Sequence, residues 1–479
     1  MLPPRGGRRG TLEESMENLL ESTVRQSSGW IEARFQERRS LILSVRNGHF
    51  DQCSSVRASG AGLRALVGGA FGFASTTDLS ERGLRHAVSA ASALADATSR
   101  GKTGQLVRLA PAAPTRGTFA VATNDPLDAH TLEEKIDLVL RIDEQIRRAS
   151  PKITSSSVTY EETLEERIVA TTEGTLARVF DMKPSLRVLA VAAADGEQSM
   201  GLETVGVTGG WAELLARRSP DELVAEAVRI AVDQLSAPHA PGGLATVVLD
   251  PELVGILCHE AIGHTVEADI VLGGAITAGK LGTRVASELV TMCDSGCPPF
   301  APHPVGLVPV DDEGVRASRT VLVERGVLRS FLHNRETAAF FGVSPTGNAR
   351  AFLYSDEPII RMTNTYIEPG DTPVEALLAG VVDGYYLRGF AMSGQADSNA
   401  EFMFGVREAR RIERGKVGRM LRGVTISGNA FRVLESIDGL GNDFAWENGA
   451  GTCGKGQPAK VDAGGPHVRC RMTLGGRQT

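Results

Sequence analysis

Between Thr11 and Gln26 the apolar residues Leu12, Met16, Leu19, Leu20 and Val24 recur at intervals of three and four, which predicts a helix opening the chain. From Trp30 to Ser75 the pattern changes to alternation broken by glycine, and Asn47-Gly48 is a strong hairpin signal because both residues accept the positive φ of a tight turn. Three or four antiparallel strands are expected there. A helix follows over 80–98, and after the Pro- and Ala-rich passage LAPAAPTRG another runs over 132–148. Alternation returns between Ile153 and Gly206, and Pro220 to Leu235 makes a further amphipathic helix. Helical and extended stretches come in blocks, which favours an α+β fold over a doubly wound parallel sheet.

Both strand blocks carry a Glu-Arg step followed by a Leu-Arg step, Glu37/Arg38 with Leu63/Arg64 and Glu166/Arg167 with Leu186/Arg187. A duplicated unit and chance recurrence both account for this. The passage SAPHAPGGLA, Ser236 to Ala245, places two prolines and two glycines between a helix and the strand TVVLD. It is the expected domain boundary, giving an N-terminal α+β domain over 11–240 with an antiparallel sheet, and a C-terminal domain over 241–479.

Composition sharpens this picture. At 479 residues, 42% hydrophobic and 23% charged with a net charge of -7, the chain exceeds one core and offers no basic footprint for nucleic acid. The start MLPPRGGRRG lacks the apolar run of a signal peptide, and no apolar stretch of about 18 residues suggests a membrane span, so a cytoplasmic location is expected. Six cysteines, at 53, 258, 293, 297, 453 and 470, are too scattered for a disulfide framework. Cys293 and Cys297 form a C-x3-C pair with no second pair to complete a four-cysteine zinc site.

The candidate chemistry lies in LCHEAIGHTVEAD, Leu257 to Asp269, where His259 and His264 stand five apart and Glu260 follows the first. Asp250 and Pro251 are a helix cap and first-turn proline, so the motif is expected on a helix. In a regular α-helix positions five apart point about 140° apart, and the histidines diverge. One π-type turn adds the residue that brings them to the same face, and Gly263 is expected to ease its strain. On the motif alone, a metal site and two unrelated histidines both remain open.

HEAIGHTVEAD resembles the His-Glu-x-x-Gly-His-x-x-Glu-x-Asp signature of the TldD/PmbA family, the metallopeptidases also called modulators of DNA gyrase. VASELVTMCDSG, VDDEGVRASRTVLVERGVLRSFLHNRETAAFFG, SPTGNAR, RMTNTYIEPGD, SGQAD, GNDFAWENGAGTCGKGQP and GGP follow in the family's order. ARFQERRSLILSVRNG and GAFGFASTTDLSERGL resemble its upstream blocks, so the likeness spans Met16 to Gly475. CGKGQ is one residue shorter than the family block, and AMSGQAD replaces a more glycine-rich segment, so the loops shaping the cleft differ.

In this family a TldD-like branch holds the metal, and a PmbA-like (TldE) branch has lost it and serves as a partner subunit. This chain keeps the motif. The resemblance implies that the C-terminal domain is largely β, that His259, His264 and Cys453 are metal ligands and that Glu260 is the general base. Two imidazoles and a thiolate are good zinc donors and leave a fourth position open, although iron or cobalt also fits the set. Glu267 and Asp269 are expected as acceptors for the far N–H groups of the histidines, with surface carboxylates as the alternative. The implied activity is zinc-dependent hydrolysis of unfolded or flexible peptides, in maturation of a modified peptide or in general degradation. A homodimer, or a heterodimer with a PmbA/TldE-like paralogue, is implied as the assembly. The alternatives are a non-catalytic partner or peptide-binding scaffold with a structural metal, and a metal-dependent amidase acting on a non-peptide substrate.

Overall fold

The computed structural model describes residues 9–101, 104–396, 399–447 and 451–476. The basic start up to residue 8, Asp397 of SGQAD, and Asn448, Gly449 and Ala450 of the cysteine segment lie outside the described residues. The fold is α+β.

The first half begins with α1 (Arg9–Arg25), followed by a meander of β1 (Trp30–Arg46), β2 (His49–Val67) and β3 (Ala70–Thr76), then α2 (Glu81–Gly101). Asn47 and Gly48 take φ of 50° and 81° at the first hairpin, as the dipeptide predicts. After β4 (Arg116–Ala120) and α3 (Leu132–Ala149) comes a second meander, β5 (Ile153–Thr171), β6 (Leu176–Ala194) and β7 (Glu197–Gly206), then α4 (Trp211–Arg217) and α5 (Pro220–Ser236). The two meanders join through an antiparallel β1–β5 ladder in which Glu37 faces Glu166, so a unit of three strands and a following helix occurs twice about this seam. β4, which the sequence pattern does not predict, adds in parallel along Leu176–Phe180 of β6.

Helices cover one face of this sheet. Ile31, Ala33 and Phe35 of β1 pack with Leu20 of α1 and Leu84 of α2, while Leu43, Val158 and Leu186 pack with Ile142 of α3 and Ala227 of α5. The alternate residues, among them Glu32, Arg34, Gln36 and Arg167, are polar and yet buried. Their face is closed by the second half of the chain: Arg64 reaches Glu313 at 2.7 Å and Arg167 reaches Asp312 at 2.9 Å.

That second half holds two large sheets and, among the described residues, two two-stranded ribbons. In one large sheet, strands Asp383–Ala396, Gly243–Leu249, Val468–Gly475, Thr425–Asn429 and Glu401–Glu413 follow in order, and the last pairs back to the first, closing a ring. The other has six strands, and within it Asn364–Ile367 runs parallel to Asp462–Gly465. Val247 and Leu249 of β8 (Gly243–Leu249) share one core with Leu253, Leu257, Ile262 and Val266, which seats the histidine segment between these sheets.

Candidate metal centre

α6 (Pro251–Ile256) starts as the cap predicts, with Asp250 Oδ1 accepting the Leu253 N–H at 3.0 Å. Gly255 lets it press onto the neighbouring strand, because a Cβ there would lie 2.8 Å from the Ala463 carbonyl carbon. From Leu257 to Gly263 the winding is π, and the His264 N–H donates to the His259 carbonyl five residues back. The added residue turns both imidazoles to one side, with ring centroids 5.1 Å apart. Gly263 has an ordinary helical φ of -55°. Its role is therefore space and not relief of strain, since a Cβ would fall 2.0 Å from Met362 Sδ.

Cys453 arrives from the far end of the chain on a short ribbon, Thr452–Cys453 paired with Ala459–Lys460. Its Sγ lies 3.3 Å from His264 Nε2, and the ligand atoms of His259, His264 and Cys453 all fall within 4.8 Å of one another. His259 is buried and its Nδ1 has no hydrogen-bond partner among the described residues. Buried polar atoms are nearly always satisfied, so this cluster fits a group that the polypeptide does not itself supply. Two nitrogens and one thiolate sulfur match zinc.

The electrostatics favour the metal-binding form of the thiol. Burial opposes the Cys453 thiolate, but the hydrogen bonds and charges of His259 and His264 outweigh it and hold the thiol down at about 3. Burial likewise opposes a charged His264, yet Cys453 and Glu267 push it up to about 10.

Glu267 is fully buried and its Oε2 meets His264 Nδ1 at 2.8 Å, which orients Nε2 toward Cys453. Asp269, expected as an acceptor for a histidine N–H, touches neither histidine. Both its oxygens receive Lys455 Nζ at 2.7 Å, because the ammonium two residues past Cys453 is the stronger partner within reach. Glu260 keeps 40% of its side chain exposed, with Oε2 4.0 Å from His264 Nε2. Cys293, Cys297 and Cys470 take no part in the cluster, and Cys258 is fully buried, its thiol pushed up by burial.

Three neighbours have no signal in the motif. Lys455 also reaches Glu267 Oε2 at 3.3 Å and the Ile360 carbonyl at 2.9 Å. Arg361 Nη2 donates to the Cys453 carbonyl at 2.6 Å. Burial, and then the charges of Glu252, Asp462 and Glu260, push the Glu447 carboxyl well above the usual carboxylate range. All three lie in blocks that resemble the family's, Arg361 in RMTNTYIEPGD and Glu447 and Lys455 in GNDFAWENGAGTCGKGQP, but the sequence assigns them no role.

Sequence models of the PmbA/TldA metallopeptidase family match its domain 1 at residues 31–95, its central domain at 125–235 and its C-terminal domain at 242–476. A metalloprotease of Methanothermobacter thermautotrophicus is 37% identical, covering 92% of this chain and 93% of its own. A zinc metalloprotease TldD homolog of Saccharolobus solfataricus is 33% identical, covering 72% of this chain and 76% of its own. Among solved structures, TldE from Thermococcus kodakarensis superposes with a TM-score of 0.75 at 16% identity, covering 96% of this chain and 99% of that one, a likeness of fold. The matched domains and the relatives together show that this chain belongs to the PmbA/TldD metallopeptidase family.

Proposed function

We propose that the chain is a zinc-dependent peptidase acting on unfolded or flexible peptides, with His259, His264 and Cys453 as the metal ligands. The observation that carries this reading is the convergence of two imidazoles and a thiolate within 4.8 Å, beside a half-buried glutamate. Zinc held by this set would supply a Lewis acid for the scissile carbonyl. Glu260 takes the proton of the attacking water and returns it to the leaving amine. Glu267 fixes the His264 ring, and the Lys455–Asp269 pair fixes the ribbon that presents Cys453. Iron or cobalt would suit the same donors, so the metal is to be read by elemental analysis of purified protein. The resemblance also supports a two-subunit particle, a homodimer or a pair with a TldE-like paralogue, which light scattering of the chain alone and mixed with the paralogue reads directly.

Metal content and peptide hydrolysis, with and without chelator, test the central claim. We expect about one metal per chain and chelator-sensitive cleavage of a denatured peptide. Glu260→Gln should keep the metal and lose most hydrolysis, because the residue moves protons and does not hold the ion. Equal loss of metal would make Glu260 a ligand. A fully loaded protein that cleaves no peptide would make the metal structural and the chain a scaffold or non-catalytic subunit.

A further inference from the structure

A second polar pocket, of about 80 Å³, lies between the charged face of the N-terminal sheet and the Cys453 ribbon, with Thr452 and Lys460 among its lining residues. Its carboxylates are already engaged. Glu165 and Asp312 each meet Arg167 at 2.9 Å, and Asp181 meets Lys183 at 3.1 Å. The remaining cations are less closely paired. Arg350 and Arg361 are buried and have no carboxylate partner among the described residues, and Lys460 finds only Glu161, at 3.9 Å.

Backbone carbonyls hold these guanidinium groups in place without neutralising them. Arg350 donates to the carbonyls of Met362 at 2.9 Å and Lys460 at 2.8 Å, while Nε of buried Arg361 has no partner among the described residues. Burial, and then the charges of Arg361 and Arg167, push Arg350 down to about 10, and the more distant carboxylates of Asp312 and Asp181 offset this only in part. Burying cations without counter-charge is strongly unfavourable, so a site built this way is completed by an anion. A water molecule needs roughly 10–15 Å³ of such cavity space, so the pocket has room for a small charged group.

We propose that this pocket is an oxyanion site that takes one carboxylate or phosphate group behind the ribbon carrying Cys453. Successive strand residues face opposite ways, so an anion beside Thr452 stands across the ribbon from the metal-binding side chain of Cys453. It acts on the metal centre by bracing the ribbon through Arg361, which lines the pocket and holds the Cys453 carbonyl. Two sources supply such a group: the C-terminal carboxylate of the peptide, an assignment that rests on the peptidase reading, or a free inorganic anion, which does not.

The test uses the metal-loaded full chain with Lys460→Met at the pocket rim and Arg350→Met inside it. Inorganic phosphate, titrated calorimetrically against a chloride control of equal ionic strength, should bind the native chain and bind both variants at least about tenfold more weakly. The rim variant keeps the test informative if Arg350→Met does not fold. A second arm compares kcat/KM for one peptide with a free C-terminus and with an amidated one. A preference of about tenfold or more for the free acid, lost in Lys460→Met and competed by phosphate, assigns the pocket to the peptide terminus. Phosphate binding with equal cleavage of the two peptides assigns it to a free anion. No phosphate binding above the chloride control overturns the proposal, and because that arm needs no turnover, the result stands whether or not the chain is a peptidase.

Discussion

Lys455 holds both oxygens of Asp269 and the Ile360 carbonyl from a position two residues beyond Cys453, so it ties the sulfur-bearing ribbon to the histidine segment. Removing such an outer support commonly weakens a metal site by about 10- to 100-fold. Lys455→Met should do so here, read by competition with a chromophoric chelator, whereas Cys297→Ser should leave affinity unchanged. Cys453→Ser should weaken metal binding more sharply than Lys455→Met. The thiol of Cys453 should also react slowly with an alkylating reagent in the loaded protein and faster after chelation. Full metal and full activity in Cys453→Ser would remove the thiolate from the ligand set. The His259–Glu260–His264 motif was visible because its spacing is local, but on its own it left a metal site and two unrelated histidines open, and the roles of these residues and of Cys453 came only through the family resemblance. Lys455 and Arg361 were not legible, since they act through contacts with residues 186 and 92 positions away. His333 makes a separate, proton-linked prediction. Burial pushes it down to about 4 from an ordinary 6.5, so the unfolded chain takes up the proton first as pH falls. Stability is then present above pH 6.5 and lost progressively toward pH 4, by up to ~3 kcal/mol. Urea unfolding across that window should fall less steeply for His333→Gln than for the native chain.

At the scale of elements, the π segment follows from one residue too many between two histidines, and the same spacing in an α-helix would have pointed them apart. Gly263 is the position at which this element is most exposed to change. Gly263→Ala drives a Cβ to 2.0 Å from Met362 Sδ and 3.1 Å from the Cys258 carbonyl, so either the thioether moves or the π turn opens. We expect loss of about 1–3 kcal/mol of stability, as for other overpacked sites, and reduced metal content. Gly263→Ala paired with Met362→Ala should recover the metal if crowding is the cause, and unchanged metal loss in the pair would point to the backbone instead. The helices Arg9–Arg25, Glu81–Gly101, Leu132–Ala149 and Pro220–Ser236 were readable because each carries a single apolar stripe against one sheet face. β4 was not, for its five residues, Arg-Gly-Thr-Phe-Ala, are mostly exposed and pair only at an edge. Nor does alternation alone reveal what covers the polar face of the sheet. Glu32, Arg34 and Arg167 have the spacing of solvent-facing residues, and they are buried because the other half of the chain supplies their counter-charges.

Across the whole molecule, that buried charged face joins the two halves. Arg64 Nη2 sits 2.8 Å from Glu32 Oε2 and 2.7 Å from Glu313 Oε1, all three side chains buried, while Glu313 Oε2 takes the Arg335 N–H at 2.8 Å. The turn carrying Glu313 is itself held rigid, with Asp311 accepting from Glu313, Val315 and Ala349, and Asp312 accepting from Ala351. The sheet therefore docks onto a preformed acidic turn. Arg64→Met removes the shared cation and leaves two carboxylates facing each other in a dry place, which should cost about 3–5 kcal/mol. Adding Glu313→Gln to Arg64→Met removes one of the stranded charges and should restore part of that loss, whereas two independent surface pairs would give additive losses. The measurement is urea unfolding followed separately by metal release and by tryptophan fluorescence. If the network couples the halves, the midpoints of both signals fall together in Arg64→Met and rise together in the double variant. A drop confined to one signal would mean that the halves unfold independently and that the charged face is only a local packing feature.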